Sequence, residues 1–142
     1  ESKLLDARES GRRHPEAFDA ALVDAPCSGL GVLRRRPDLR WRKQSVNIQS
    51  LVRLQAEILD AVSESLKPGG VLVYSTCSIH PDENQGSVSS FLTRHRDFHM
   101  DTLEGRLPDG LREGEKDGML ELWPHIHGTD GFFIARIRKD AM

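Results

Sequence analysis

The chain has 142 residues, 37% of them hydrophobic and 30% charged, with a net charge of −2 and two cysteines. That is the size and composition of one soluble globular domain with enough apolar residues for a core. It excludes a helical membrane span, because no apolar run approaches the ~18 residues required, and it excludes a chain that is basic throughout.

The N-terminal residues do not read as a secretory signal, since Lys3, Arg8, Arg12 and Arg13 sit among polar neighbours. A cytoplasmic setting is expected, and there two cysteines read as thiols rather than as a disulfide scaffold. The opening "ESKLLDARES" has no methionine and reads as entering a fold midway.

In chain order, "AALVDAP" (residues 20–26) is a short apolar run between polar turns, which predicts a buried strand. From Ser45 to Leu66, Leu51, Leu54, Ile58, Ala61, Val62 and Leu66 recur at the spacing of one helical face. Lys67-Pro68-Gly69-Gly70 stops that helix. "VLVYSTC" (71–77) is β-branched and aromatic, a second buried strand. Pro81, Asp82 and Glu83 open another helix, with Val88, Phe91 and Leu92 inward and Gly86 as a weak point. "FHMDTL" is a weak strand, and "LELWP" and "GFFIARIR" are the last two, with Trp123, Phe132 and Phe133 expected in the core. The glycine-rich, mixed-charge stretch 106–118 is assigned to a loop. Alternation of strand and helix predicts an α/β fold with parallel central strands.

In open α/β sheets, ligands bind beyond the carboxyl ends of the strands. Cys27 follows Asp24 at the exit of the first strand, and Cys77 lies at the exit of the second. If the helix between them is a right-handed crossover, the strands are neighbours ~5 Å apart. Both thiols and the Asp24 carboxylate then share a crevice. Free cysteines are commonly small core residues, but two at matching strand ends, flanked by Ser or Thr in "PCSG" and "STCS", point to a site. Pro26 lacks an N–H and fixes its φ, which leaves carbonyls directed at the crevice. Gly29 and Gly31 allow close backbone approach. His125 and His127 lie far along the chain from the cysteines, so no metal set is expected. His80 is expected to be a loop histidine beside a helix start.

The stretches "DAPCSGLGVLRRRPDLRWR", "LQAEILDAVSESLKPGGVLVYSTCSIHPDEN" and "GTDGFFIARI" resemble the Sun-type RNA cytosine-C5 methyltransferases, most closely the bacterial enzymes acting on 16S ribosomal RNA. The resemblance runs from about Asp6 to Ile137. It implies the C-terminal half of a Rossmann-like, S-adenosylmethionine-dependent methyltransferase domain: a mostly parallel sheet with helices on both faces and an antiparallel last strand. The family's glycine-rich cofactor loop and its N-terminal RNA-binding domains have no counterpart in these 142 residues.

The resemblance also implies roles. Cys77 would be the nucleophile that adds to C6 of cytosine, making C5 able to take the methyl group, and Cys27 would assist product release. Asp24 would contact the N3 side of the base and the Pro26 carbonyl its exocyclic amine. Asp6 and Asp24 would face S-adenosylmethionine. The residues alone leave open which cysteine attacks; that choice comes with the family.

Past the first cysteine, Arg34, Arg35, Arg36, Arg40, Arg42 and Lys43 surround Trp41, and with Asp38 they make this segment +5 while the remainder is −7. Cations with an interleaved aromatic suit an RNA backbone with an unstacked base nearby. A target base must be extruded to reach a thiol. Ribosomal RNA is the expected partner, with transfer RNA the alternative. Lacking half a cofactor site, the chain alone is expected to be inactive and to self-associate through an exposed sheet edge. The rival readings are a non-catalytic RNA-binding or assembly module and a thiol-disulfide redox protein; the second lacks a C-x-x-C pair.

Overall fold

The computed structural model describes residues 2–42 and 47–141. A short helix α1 (Ser10–Arg13) leads into strand β1 (Phe18–Asp24). After the Cys27 turn come α2 (Leu39–Arg42), the long helix α3 (Ile48–Glu64) and strand β2 (Leu66–Thr76). Then follow α4 (Gln85–Arg94), β3 (Phe98–Met100), β4 (Glu115–Lys116), β5 (Met119–Leu122), α5 (Pro124–His127) and β6 (Phe132–Lys139).

The sheet order is β1-β2-β6-β5-β4, with β3 also on β6. β1 and β2 are parallel, joined by α3, and the register sets Val23 opposite Tyr74 and Asp24 opposite Ser75. β6 is antiparallel to β2, as expected of the last strand. Among the described residues parallel pairing is confined to β1 and β2; β3, β4 and β5 add antiparallel partners.

α3 begins where the Asn47 side chain accepts from the N–H groups of Gln49 and Ser50. Residues 45 and 46, where the helix was expected to begin, lie outside the described residues. Its buried face is Gln55, Ile58, Leu59, Val62 and Ser63, rotated from the all-apolar face that the sequence suggests. The helix ends at Glu64, before Lys67-Pro68-Gly69-Gly70. Those four residues form an irregularity within β2, where pairing jumps from Phe18↔Leu66 to Ala20↔Val71.

The core lies between this helix layer and one face of the sheet. Leu59, Leu72, Tyr74, Val88, Phe91, Phe133 and Ile137 are buried in one cluster. α1 and α4 both pack on α3, so these helices share the face that buries Leu72 and Tyr74. On the opposite face Ala20 and Leu22 of β1 stand in the open, Leu22 at 71% exposure; the strand expected to be buried is an edge strand with only Val23 of its residues buried, because it pairs with β2 on one side alone. Phe133 is in the core, whereas Trp123 and Phe132 are only half-buried. The stretch assigned to a loop carries structure: a 3-10 turn at Asp109–Gly114 and the β4–β5 hairpin, whose Leu120 is buried. Asp117 and Gly118 adopt positive φ there, which lets the chain reverse between such short strands.

Phe91 is fully buried, with the Phe98 ring edge-on at 5.2 Å and the His95 ring stacked at 4.4 Å. Phe91→Ala is expected to destabilise the fold by about 3–5 kcal/mol, read from the midpoint of urea denaturation.

Candidate active site

The parallel register delivers both cysteines to one place. The Cys27 and Cys77 sulfurs are 3.3 Å apart, each half-buried. Asp24, the last residue of β1, is exposed beside them, and Ser75 Oγ donates to its Oδ1 at 3.0 Å across the strand pair. Backbone contacts lock three loops together: the Gly31 N–H donates to the Cys77 carbonyl at 2.9 Å, and the Gly131 N–H to the Gly31 carbonyl at 2.8 Å. A Cβ on Gly31 would lie 2.1 Å from the Gly131 carbonyl oxygen and 2.8 Å from that of Cys77. Glycine is therefore required at 31 for close packing, and at 29 for a φ of 68°.

Beneath the sulfurs lies a polar cluster sealed from water. Gln55 Nε2 donates to the Pro26 carbonyl at 3.0 Å, leaving that oxygen one lone pair for another donor. Ser87 Oγ donates to Gln55 Oε1 at 3.1 Å. Glu83, Ser28, Ser78 and Asn84 are all buried here. Asn84 accepts from Thr76 Oγ1 at 2.6 Å and donates to the Ser78 carbonyl at 2.9 Å, and the Tyr74 hydroxyl donates to the Glu83 carbonyl at 2.7 Å. Sequence reasoning missed Gln55 and Glu83. Gln55 could have been found from its place on the helix face, three and four residues before Ile58 and Leu59. Glu83 reads as an ordinary first-turn acid, and nothing in its spacing marks it as buried.

The thiols share their protons. Hydrogen bonding from Cys77 lowers the Cys27 thiol to about 7, aided by backbone donors at Gly29 and Cys77 and opposed by burial. Cys77 is pushed up, first by its contact with Cys27, then by burial and by the charge on Cys27. The two thiols titrate as a pair, and their contact favours loss of the first proton from Cys27 with the other retained on Cys77.

Other expected site residues have contacts of their own. Asp6 caps the 3-10 turn Ala7–Glu9 and pairs with Arg8 at 2.8 Å, which lowers its carboxyl to about 2. Arg8 in turn reaches Glu57 of α3, so the contacts of Asp6 run away from the cysteine loops. Arg34 donates to the Gly128 carbonyl at 3.2 Å, and Arg35 pairs with Asp130 at 3.1 Å. Two arginines thus tie the turn after Cys27 to the loop before β6. Arg36 and Arg40 are exposed, as is Trp41 at 77%. Arg42 closes α2, and Lys43 lies outside the described residues. His80 caps the turn Pro81–Glu83, its Nδ1 accepting from the Asp82 N–H. His127 Nδ1 accepts from the Trp123 N–H.

Removing the Cys77 sulfur removes the donor that stabilises the Cys27 thiolate. In Cys77→Ala the pH midpoint for alkylation of Cys27 by iodoacetamide is expected to rise from about 7 toward the ordinary thiol value of 9.0.

A family described as 16S rRNA methyltransferase RsmB/F matches residues 3–138. A Bacillus subtilis protein named "Probable ribosomal RNA small subunit methyltransferase B" is 44% identical over 140 residues, covering 97% of this chain and 31% of that protein. Among solved structures, PH0851 superposes with a TM-score of 0.84 at 37% identity, covering 95% of this chain and 30% of its own. NSun6 from Pyrococcus horikoshii with SFG superposes with a TM-score of 0.71 at 34% identity, covering 95% and 33%. The chain spans about a third of the length of the relatives it matches. With a match over nearly its whole length, the chain belongs to the 16S rRNA methyltransferase RsmB/F family.

Proposed function

We propose that this chain carries the C-terminal half of the catalytic domain of an S-adenosylmethionine-dependent RNA cytosine-C5 methyltransferase, acting in the cytoplasm on small-subunit ribosomal RNA. The observation that carries this reading is the pair of sulfurs 3.3 Å apart beside an exposed carboxylate at parallel strand ends. The names of the relatives support ribosomal RNA as substrate, and the solved neighbour with SFG, a cofactor analogue, supports the cofactor.

C5 of cytosine is a weak nucleophile. In this reading the Cys77 thiolate adds to C6, and C5 gains enamine character. Once the pair has lost one proton, the other crosses the 3.3 Å contact from Cys77 to Cys27, so that Cys77 attacks as the thiolate and Cys27 carries the remaining proton. Asp24, held by Ser75, faces the N3 side of an extruded base, and protonation there makes C6 more electrophilic. The free lone pair of the Pro26 carbonyl accepts from the exocyclic amine, which favours cytosine over uracil.

S-adenosylmethionine, when bound, supplies the methyl group from its sulfonium. Of the two acids expected near it, Asp24 fits, being exposed beside the thiols; the Asp6 carboxylate is engaged by Arg8. The C5 proton then passes to water at the open crevice, the C5–H electron pair re-forms the C5–C6 double bond, and the Cys77 sulfur leaves C6 as a thiolate, with Cys27 assisting product release. The exposed Arg36, Arg40 and Trp41 supply phosphate and base contacts at the rim.

In the intact protein, Cys77→Ala is expected to abolish methylation and covalent capture of 5-fluorocytosine RNA. Cys27→Ala is expected to accumulate an RNA-linked protein, seen as a shifted band in a denaturing gel. Capture by the Cys77→Ala protein would overturn the nucleophile assignment.

A further inference from the structure

One carboxylate grips the residue that follows each cysteine. Glu83 Oε2 accepts from Ser28 Oγ and from Ser78 Oγ, both at 2.5 Å. Its Oε1 accepts from the Ser28 N–H at 2.7 Å and from Gln55 Nε2 at 3.3 Å. Ser28 and Ser78 are themselves buried, with their hydroxyl oxygens 3.1 Å apart. Both hydroxyl hydrogens are spent on Glu83, so the carboxylate, not a Ser–Ser hydrogen bond, draws the two loops together.

All four donors are neutral groups, and Glu83 is fully buried. Removing a carboxylate from water is tolerated only where donors replace its hydration, and losing one leaves the charge under-bonded. Slippage of either cysteine loop would break such a bond. We propose that Glu83 is a positioning residue: acting through Ser28 and Ser78, it holds the Cys27 and Cys77 sulfurs in S–H···S contact, so that the pair shares a proton before RNA arrives. The catalytic use of that contact rests on the methylation reading; the contact itself does not.

Reach and charge are separable at this position. Aspartate keeps the charge but is one methylene shorter, by about 1.5 Å, and cannot meet both serines. Glutamine keeps the reach: its amide nitrogen can face the two hydroxyl oxygens while its carbonyl accepts from Ser28 N–H and Gln55. The ionisable groups around the pair are Asp24 from β1, Tyr74 from β2 and Glu83 itself. The charge on Glu83 opposes a Cys27 thiolate, so its loss does not by itself weaken the pair.

The test compares wild type, Glu83→Gln, Glu83→Asp and Ser78→Ala in the intact protein, measuring iodoacetamide labelling of the cysteines against pH alongside methylation kinetics. Wild type and Glu83→Gln are expected to keep a labelling midpoint near 7 or below, whereas Glu83→Asp and Ser78→Ala move it toward 9.0. In those two, kcat is expected to fall about 100-fold with KM nearly unchanged, as for a displacement of ~1 Å at the reacting atoms. A folded Glu83→Asp protein that keeps the low midpoint would overturn the proposal, as would a Glu83→Gln midpoint raised as far as that of Glu83→Asp. Should Glu83→Asp fail to fold, Ser78→Ala decides alone. Absence of methylation in wild type would sink the catalytic reading while leaving the labelling comparison to judge Glu83.

Discussion

Everything at this site descends from the parallel pairing of β1 with β2. Because Asp24 lies opposite Ser75, the chain leaves both strands at the same level of the sheet, and the next few residues of each strand's loop must meet. A slip of β1 by one residue along β2 would turn Val23 out of the core and carry Asp24 to the other face. The core residues that make such a slip costly, Val23, Leu72 and Tyr74 against Leu59 and Val62 of α3, therefore hold the chemistry in place as well as the fold. A crossover helix is what permits a parallel pair at all, so α3 contributes twice, once as a connection and once through Gln55.

Beneath the sulfurs the protein places polar groups where a small domain would ordinarily place methyl groups. Gln55, Glu83, Asn84, Ser28, Ser78 and Ser87 are all buried, and the hydrogen bonds among them reach the backbone of both cysteine loops. An apolar plug of the same volume would serve stability at least as well, but it would not impose direction. Hydrogen bonds of fixed length do impose direction, and two thiols that must exchange a proton require a set distance. Gly31 adds the complementary constraint from above, since any side chain there would push the Cys77 and Gly131 backbones apart.

The basic segment serves two ends. Arg34 and Arg35 are anchored to the Gly128–Asp130 loop, which closes one side of the site and leaves Arg36, Arg40 and Trp41 facing solvent. Charge that looks uniform along the chain is thus divided between internal tethering and surface presentation.

What the sequence determined by itself was local and patterned. The first two strands, the intervening helix, the Pro-Cys turn and the carboxyl-end placement of Cys27, Cys77 and Asp24 were legible because hydrophobic period and turn residues act over a few positions, whereas the burial expected of the first strand was not met, since β1 lies at the sheet edge. Family motifs spanning these same stretches were legible for the same reason. The strand at "LELWP" was legible as β5, but β4 and its pairing with β5 were not, because a two-residue strand carries too few residues to show a period. Nor were the internal engagement of Asp6 by Arg8 and of Arg34 and Arg35 by the loop before β6. Glu83 is the clearest case: in the chain it is one acid among others at a helix start. Only the folding together of β2, α3 and the two cysteine loops gives it four donors and no water, because burial and hydrogen-bond partners are properties of distant segments brought into contact.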